Sequence, residues 1–188
     1  MADQLKVLVI CGSLRKGSYN AALTRALPEL APPDVKLITA PSFATFPLYN
    51  ADVQEASGFP APVNDLAAAV RAADGVLFVT PEYNWSMPGA LKNAIDWVSR
   101  MKDQPFKEKP VAIQSASQGP LGGARMQYHW RMSMTFLKAF IFGTPEVFVS
   151  QAQNKFDKDT LELKDQMTKD AVKLQLAAFA KFIAKVKA

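Results

Sequence analysis

Short apolar runs alternate along the chain with segments in which apolar residues recur every three or four positions. The runs are rich in Val and Ile and are bounded by turn-forming residues, so they predict buried strands. Five such runs are present, at Leu5–Cys11, Val35–Thr39, Gly75–Thr80, Pro110–Ser115 and Pro145–Ser150.

A helix is predicted after each strand. Ser18 is a suitable N-cap for the first helix, which continues to about Leu27 or Leu30 and whose last turn Pro28 should disturb. A loop is predicted from the end of strand two to about Pro62. Helical spacing or Ala-rich composition predicts the other helices: Val63–Ala73, a helix opened by Pro88, a helix from Gly122 or Gly123 to Phe140, and a long final helix that contains Val172–Val186.

Buried strands that alternate with helices predict an α/β fold, in which a parallel sheet carries helices on both faces. Right-handed crossovers favour a flavodoxin-like, doubly wound sheet of five strands in the order 2-1-3-4-5. A chain of 188 residues suits one such domain, covering residues 1–188. Ligands bind such sheets beyond the carboxyl ends of the strands, so the loops after strands one, three and four should meet in space.

Composition favours a soluble protein of the cytoplasm. Hydrophobic residues make up 49% and charged residues 21% of the chain, and no apolar run approaches the ~18 residues of a membrane span. The N-terminus has no basic segment typical of a signal peptide. The single cysteine, Cys11, cannot form an internal disulfide, and an inert thiol at the end of a buried strand is expected.

The net charge of +5 and the pI of about 9.3 come from Lys and Arg residues spread along the chain. Such a distribution is typical of a solvated cationic surface, and it also favours anionic small molecules. No basic stripe with interleaved aromatic residues is present, so nucleic acid is not expected as a partner.

The segment Gly12–Asn20, "GSLRKGSYN", follows the first strand and opens the first helix. It lacks the Lys of a P-loop after its second glycine, since Ser18 stands there. Only three residues separate Cys11 from Arg15, too few for the Cys-x5-Arg loop of small phosphatases. The Rossmann pattern of glycines is absent as well.

What remains in this first loop is a set of hydroxyls, cations and an amide at a helix N-terminus. Ser13 and Ser18 can donate O–H bonds, Arg15 can form a charge-assisted bond, and Asn20 can donate from its side chain. Together with the free N–H groups of the first turn, they suit a terminal monophosphate bound without metal. The alternative is a capped turn that binds no ligand.

The second loop, Thr80–Gly89, has the sequence "TPEYNWSMPG". Tyr83 and Trp85 beside Asn84 suit a planar ring with hydrogen-bonding edges, although a hydrophobic plug or a subunit contact would use the same residues. Glu82 can bond a ligand or organise the turn.

The third loop, Ser115–Arg125, has the sequence "SASQGPLGGAR". Gly119, Gly122 and Gly123 would let the backbone approach a ligand closely. The alternative is a flexible connection between strand and helix.

Three segments together closely resemble the NAD(P)H-dependent FMN reductase family, and within it the bacterial quinone and chromate reductases. They are "GSLRKGSYN", "PEYNWSMPGALKNAIDWVSR" and "SASQGPLGGARMQYHWR". The resemblance implies bound FMN, NADPH or NADH as co-substrate, and a homodimer or homotetramer. It implies ping-pong, two-electron reduction of quinones or of other small-molecule electron acceptors, among them chromate, azo and nitro compounds and ferric chelates.

The resemblance also assigns residues. The flavin itself carries the chemistry, so no protein residue is expected to be catalytic and no metal is expected. Trp85 departs from the family, in which this position is commonly Tyr or His. The phosphate is assigned to Ser13, Leu14, Arg15, Ser18 and Asn20, and the isoalloxazine ring to Pro81, Glu82, Tyr83 and Asn84 on one side and to Ser117 and Gly119 on the other.

Two other functions are compatible with a flavin site. One is a flavodoxin-type electron carrier, which the basic charge and the cations Arg15 and Lys16 disfavour because such carriers are usually acidic. The other is a flavin-binding module that senses redox state. Reduction by NAD(P)H would distinguish the enzyme from both.

Overall fold

A parallel sheet forms the centre of the protein in the computed structural model, which describes residues 4–187. The described residues form six strands, all paired in parallel. The strands are β1 Leu5–Cys11, β2 Val35–Thr39, β3 Gly75–Val79, β4 Pro110–Ala116, β5 Phe140–Ile141 and β6 Val147–Val149. Their order, β2-β1-β3-β4-β5 with β6 also on β4, confirms the predicted flavodoxin-like topology.

Helices cover both faces of this sheet, as predicted. They are α1 Tyr19–Leu30, α2 Ala51–Ser57, α3 Ala61–Ala72, α4 Gly89–Ser99, α5 Ala124–Phe136 and α6 Gln166–Lys187, with a short 3-10 turn at Ala152–Asn154.

Alternate residues of the central strands point into two separate cores. On β1, Leu8 and Ile10 lie in the core formed with α3, α4 and α5, whereas Val7 and Val9 lie in the core formed with α1 and α6. All five residues of β3 are buried, because helices cover this strand on both faces. The apolar runs of the sequence are continuous for this reason.

The outer edge of the sheet differs from the prediction. In place of one strand over Pro145–Ser150, β5 pairs with the beginning of β4 and β6 with its end. The preceding helix also stops at Phe136 instead of continuing to Phe140. Lys138 has a positive φ of 59°, which ends the helix and redirects the chain into β5.

One further segment differs from the prediction. The predicted loop after β2 contains α2, which Asn50 caps and Gly58 ends with a φ of 72°. No residue of α2 is buried, so it lacks the apolar periodicity that predicts helices. The helix α1 ends at Leu30, within the predicted range, and beyond Pro28 the N–H of Ala31 still donates to the carbonyl of Leu27.

Gly12 brings the first loop into contact with the end of β3. Its N–H donates to the carbonyl of Val79 at 2.8 Å. A Cβ atom at this position would lie 2.1 Å from Oγ1 of Thr80 and 2.9 Å from a methyl carbon of Leu91. Only glycine therefore permits this close approach.

We expect Gly12→Ala to lower the free energy of unfolding by about 1–3 kcal/mol, because the new methyl group overpacks this contact. Gly17→Ala is the matched control in the same loop, since its Cβ would meet no atom within 4 Å beyond its chain neighbours. Urea unfolding of both variants measures the difference. Equal stability of the two would contradict the packing role of Gly12.

Candidate FMN site

An open cleft of about 490 Å³ lies where the first, second and third loops meet. Eight of the eleven residues assigned from the sequence line it, and Tyr19, Ala116 and Gln118, which were not predicted, line it as well. Leu14, Asn84 and Gly119 belong to the same loops but are not part of the lining. The lining consists of Ser13, Arg15, Ser18, Tyr19, Asn20, Pro81, Glu82, Tyr83, Ala116, Ser117 and Gln118.

Ser18 caps the first helix at one end of this cleft. Its Oγ accepts the N–H of Asn20 at 3.1 Å and that of Ala21 at 3.4 Å. The hydroxyl proton is not used in these bonds and can be donated to a ligand. Because the N-terminus of α1 carries a partial positive charge, this end of the cleft favours an anion.

Arg15 and Ser13 lie beside this helix N-terminus. The backbone N–H of Arg15 donates to Oγ of Ser13 at 3.3 Å, which folds the loop back on itself. The Arg15 side chain is exposed and has no carboxylate partner among the ion pairs of residues 4–187. Its guanidinium group is therefore available to an anionic ligand.

Asn20 has a different environment from the one predicted for a phosphate ligand. Its side chain is buried, with Nδ2 donating to the carbonyl of Ala116 at 2.8 Å and Oδ1 accepting the N–H of Ala116 at 2.9 Å. Only the second N–H of the amide remains for a ligand.

The second loop contains a tight hairpin. Tyr83 and Ser86 exchange two backbone hydrogen bonds, of 2.9 and 3.0 Å, and the two residues between them have positive φ angles, 51° at Asn84 and 62° at Trp85. This is the geometry of a type I′ turn, which tryptophan seldom adopts. The guanidinium group of Arg125 lies 4.2 Å from the centre of the Trp85 ring and stabilises it through a cation–π contact.

Glu82 connects the second loop to α5. Its Oε2 accepts the N–H of Met126 at 3.1 Å, in the first turn of a helix whose N-cap, Gly123, provides no side-chain bond. A carboxylate at this position also interacts favourably with the helix dipole. The structure therefore shows Glu82 capping α5, a role that was not predicted, and its predicted bond to a ligand stays a prediction.

Two glycines of the third loop serve packing. A Cβ at Gly122 would lie 2.7 Å from the backbone of Phe148, and one at Gly123 would lie 2.8 Å from Ser115. Packing alone explains why these two positions are glycine, so the predicted close approach of the backbone to a ligand stays a prediction. Gly119 has more space, since its Cβ would contact only Oγ of Ser117, at 3.5 Å.

The ring of His129 and the thiol of Cys11 each have one polar neighbour among residues 4–187. Nδ1 of His129 lies 3.4 Å from Oγ of Ser86, and Sγ of Cys11 lies 3.7 Å from the carbonyl oxygen of Ser13. Within residues 4–187, no three His, Cys, Asp or Glu side chains are grouped so that they could hold a metal ion.

In the same part of the chain, no helix has the length and apolar character to cross a membrane.

Residues 5–154 match the sequence pattern of the family described as NADPH-dependent FMN reductase. The chain belongs to this family. A quinone reductase of Escherichia coli is 52% identical to it over 187 residues, with 100% of both chains covered. An NAD(P)H-dependent FMN reductase of Pseudomonas aeruginosa is 46% identical, also with 100% of both chains covered.

A solved structure supports the same relationship. FerB of Paracoccus denitrificans, a flavoenzyme NAD(P)H:(acceptor) oxidoreductase, matches with a TM-score of 0.85 and 31% identity, over 96% of this chain and 98% of its own. As a member of the FMN reductase family, the chain is an oxidoreductase with FMN as cofactor and NAD(P)H as co-substrate.

The residues of the cleft fit FMN. The volume of the cleft lies within the range of about 300–1,000 Å³ that is usual for ligand sites. One end offers the Ser18 hydroxyl, the Arg15 guanidinium group and a helix N-terminus, which suit a phosphate. The other end offers the ring of Tyr83 and the polar groups of Ser117 and Gln118, which suit a planar heterocycle.

We expect Glu82→Ala to lower the free energy of unfolding by about 0.5–2 kcal/mol, the usual effect of losing a helix cap. Glu82→Gln keeps an oxygen that can accept the N–H of Met126 and should cost less. Urea unfolding of the FMN-free proteins measures both changes. If Glu82→Ala were as stable as the wild type, the capping role would be wrong.

Proposed function

We propose that this cleft holds FMN with its phosphate at the N-terminus of α1 and its ring between the second and third loops. The observation that carries the proposal is the meeting of a metal-free anion site and an aromatic, hydrogen-bonding site in one cleft. Ser13, Ser18 and Arg15 bind the phosphate, and Asn20 adds its remaining N–H. Leu14, which is exposed in the same loop, completes the set of residues assigned to the phosphate.

The ring is bounded by residues of the two other loops. All three of Pro81, Tyr83 and Ser117 line the cleft, and in this proposal the first two bound the ring on one side and Ser117 on the other. Oγ of Ser117 accepts the N–H of Gly119 at 3.1 Å, so the serine proton remains free to bond the ring. Glu82, Asn84 and Gly119 shape these two loops and complete the set of residues assigned to the ring.

Bound FMN supplies the two-electron transfer from NAD(P)H to an acceptor. The protein positions the cofactor and leaves its exposed side open, since Tyr83 at the rim is 47% exposed. NAD(P)H and acceptor therefore use the same opening in turn, in a ping-pong scheme. In this scheme no protein residue has to act as nucleophile or acid.

Quinones are the acceptors we assign to this enzyme. A planar, apolar acceptor suits an opening lined by Tyr83 and flanked by Trp85, which is 65% exposed. The cations Arg15 and Lys16 of the first loop and Arg125 of the third loop favour anionic acceptors as well. Chromate and ferric chelates are the anionic acceptors that we propose. Azo and nitro compounds share the planar shape of quinones.

A homodimer or homotetramer is proposed from the surface of α5. Tyr128, Met132 and Phe136 recur every four residues on one face of this helix and are 54%, 71% and 81% exposed. Such a stripe of large apolar side chains is typical of a protein–protein interface.

We propose the cytoplasm as the location of the protein. The single cysteine, Cys11, forms no internal disulfide, which suits a reducing compartment.

Protein purified with FMN should show flavin absorbance that anaerobic NADPH or NADH bleaches and that a quinone then restores. The physical reason is that the open cleft admits both co-substrates to one cofactor. A mixture of free FMN, nicotinamide nucleotide and quinone without protein is the control. Flavin absorbance that neither nucleotide changes would contradict the reductase and favour an electron carrier.

Met132→Glu should shift the protein towards monomers, because it places a charge in the centre of the α5 stripe. Met167→Glu on α6 is the matched control, since Met167 is 81% exposed and lies on another surface. Sedimentation velocity at micromolar concentration measures the distribution. A monomeric wild type, or equal oligomers in both variants, would rule out this interface.

A further inference from the structure

The side-chain amide of Asn20 joins two segments that lie 96 residues apart in the sequence. It forms hydrogen bonds with both backbone groups of Ala116, at 2.8 and 2.9 Å. Asn20 is only 2% exposed, and buried hydrogen bonds of this kind are costly to leave unmade. The two bonds therefore fix the distance between these segments.

The two segments carry residues proposed to bind the phosphate and residues proposed to bind the ring. Asn20 lies in the first turn of α1, two residues after the cap Ser18. Ala116 is the last residue of β4 and is followed by Ser117 and Gln118, which line the ring end. A displacement of Ala116 would move both of these residues.

No other hydrogen bond within residues 4–187 joins residues 12–20 to residues 115–125. The first loop is otherwise attached to β3, through the N–H of Gly12, and its residues 14–17 are exposed. Beside the pairing of β1, β3 and β4, Asn20 is thus the one hydrogen-bonded link between the first and third loops in this part of the chain.

We propose that Asn20 is a positioning residue for the flavin ring, acting through Ala116, and not a ligand of the phosphate alone. This inference rests on the FMN site proposed above. Its consequence is that losing the Asn20 side chain weakens the binding of a flavin that has no phosphate.

Riboflavin, which lacks the phosphate, separates the two roles. Asn20→Ala should weaken riboflavin binding roughly tenfold or more, as expected for the loss of two buried hydrogen bonds. Arg15→Ala should weaken FMN binding roughly 10–100-fold and leave riboflavin binding within about twofold, because it removes only a charge-assisted phosphate contact. Fluorescence titration of the FMN-free wild type and of both variants with each flavin measures these affinities.

Asn93→Ala is the control for general destabilisation. Oδ1 of Asn93 accepts the N–H of Tyr49 at 2.8 Å, and its Nδ2 donates to the carbonyl of Pro47 at 2.9 Å. Asn93 thus forms hydrogen bonds with backbone groups as Asn20 does, but it is not part of the cleft lining. Its loss should lower the unfolding temperature without changing riboflavin affinity.

A second variant and a measurement on the wild type cover the case in which Asn20→Ala does not fold. Asn20→Asp keeps the acceptor for the N–H of Ala116, loses the donor to its carbonyl, and should also weaken riboflavin binding. In the wild type, lumiflavin, which has neither phosphate nor ribityl chain, should slow amide hydrogen exchange at residues 18–21 as well as at residues 116–118.

The outcomes separate the inference from the proposed function. If the wild type binds neither FMN nor riboflavin, the proposed function is wrong. If it binds both, and either Asn20 variant that folds keeps wild-type affinity for riboflavin, the positioning role alone is wrong. Unchanged exchange at residues 18–21 in the presence of bound lumiflavin would likewise overturn it.

Discussion

Parallel pairing of β1 with β3 and of β3 with β4 is the constraint on which the site depends. Cys11 pairs with Val79, and Val79 pairs with Gln114, so three strands end at nearly the same height. A parallel ladder places all carboxyl ends on one edge of the sheet. Three loops that are far apart in the sequence therefore begin side by side, and the chemistry of the cleft follows from what those loops contain.

Sheet pairing brings the loops together, but it does not fix their spacing. Three short-range contacts do so: Gly12 packs on Thr80, Asn20 holds Ala116, and Glu82 caps α5 at Met126. Each contact joins the loop of one strand to the loop or strand end of a neighbour. The carboxylate and the amide thereby serve the shape of the cleft first, and any direct contact with a flavin is added to that role.

The sequence was sufficient to predict the strand order, because buried parallel strands give continuous apolar runs and right-handed crossovers leave few topologies. It did not predict α2, which has no buried residue, or β5, whose apolar residues also suit the end of a helix. The link between Asn20 and Ala116 could not be predicted either. Its 96-residue separation leaves no local pattern, and the same asparagine looks like a phosphate ligand when only its neighbours are considered.

The hairpin of the second loop has an optical consequence. Of the three tryptophans in the chain, Trp97 and Trp130 are fully buried, whereas Trp85 is largely exposed, two residues after Tyr83, which lines the cleft. A water-soluble quencher such as iodide can therefore reach Trp85 far more readily than the other two. The quenchable part of the intrinsic emission comes from one indole, held under Arg125, so the unmodified protein carries its own optical reporter of the second loop.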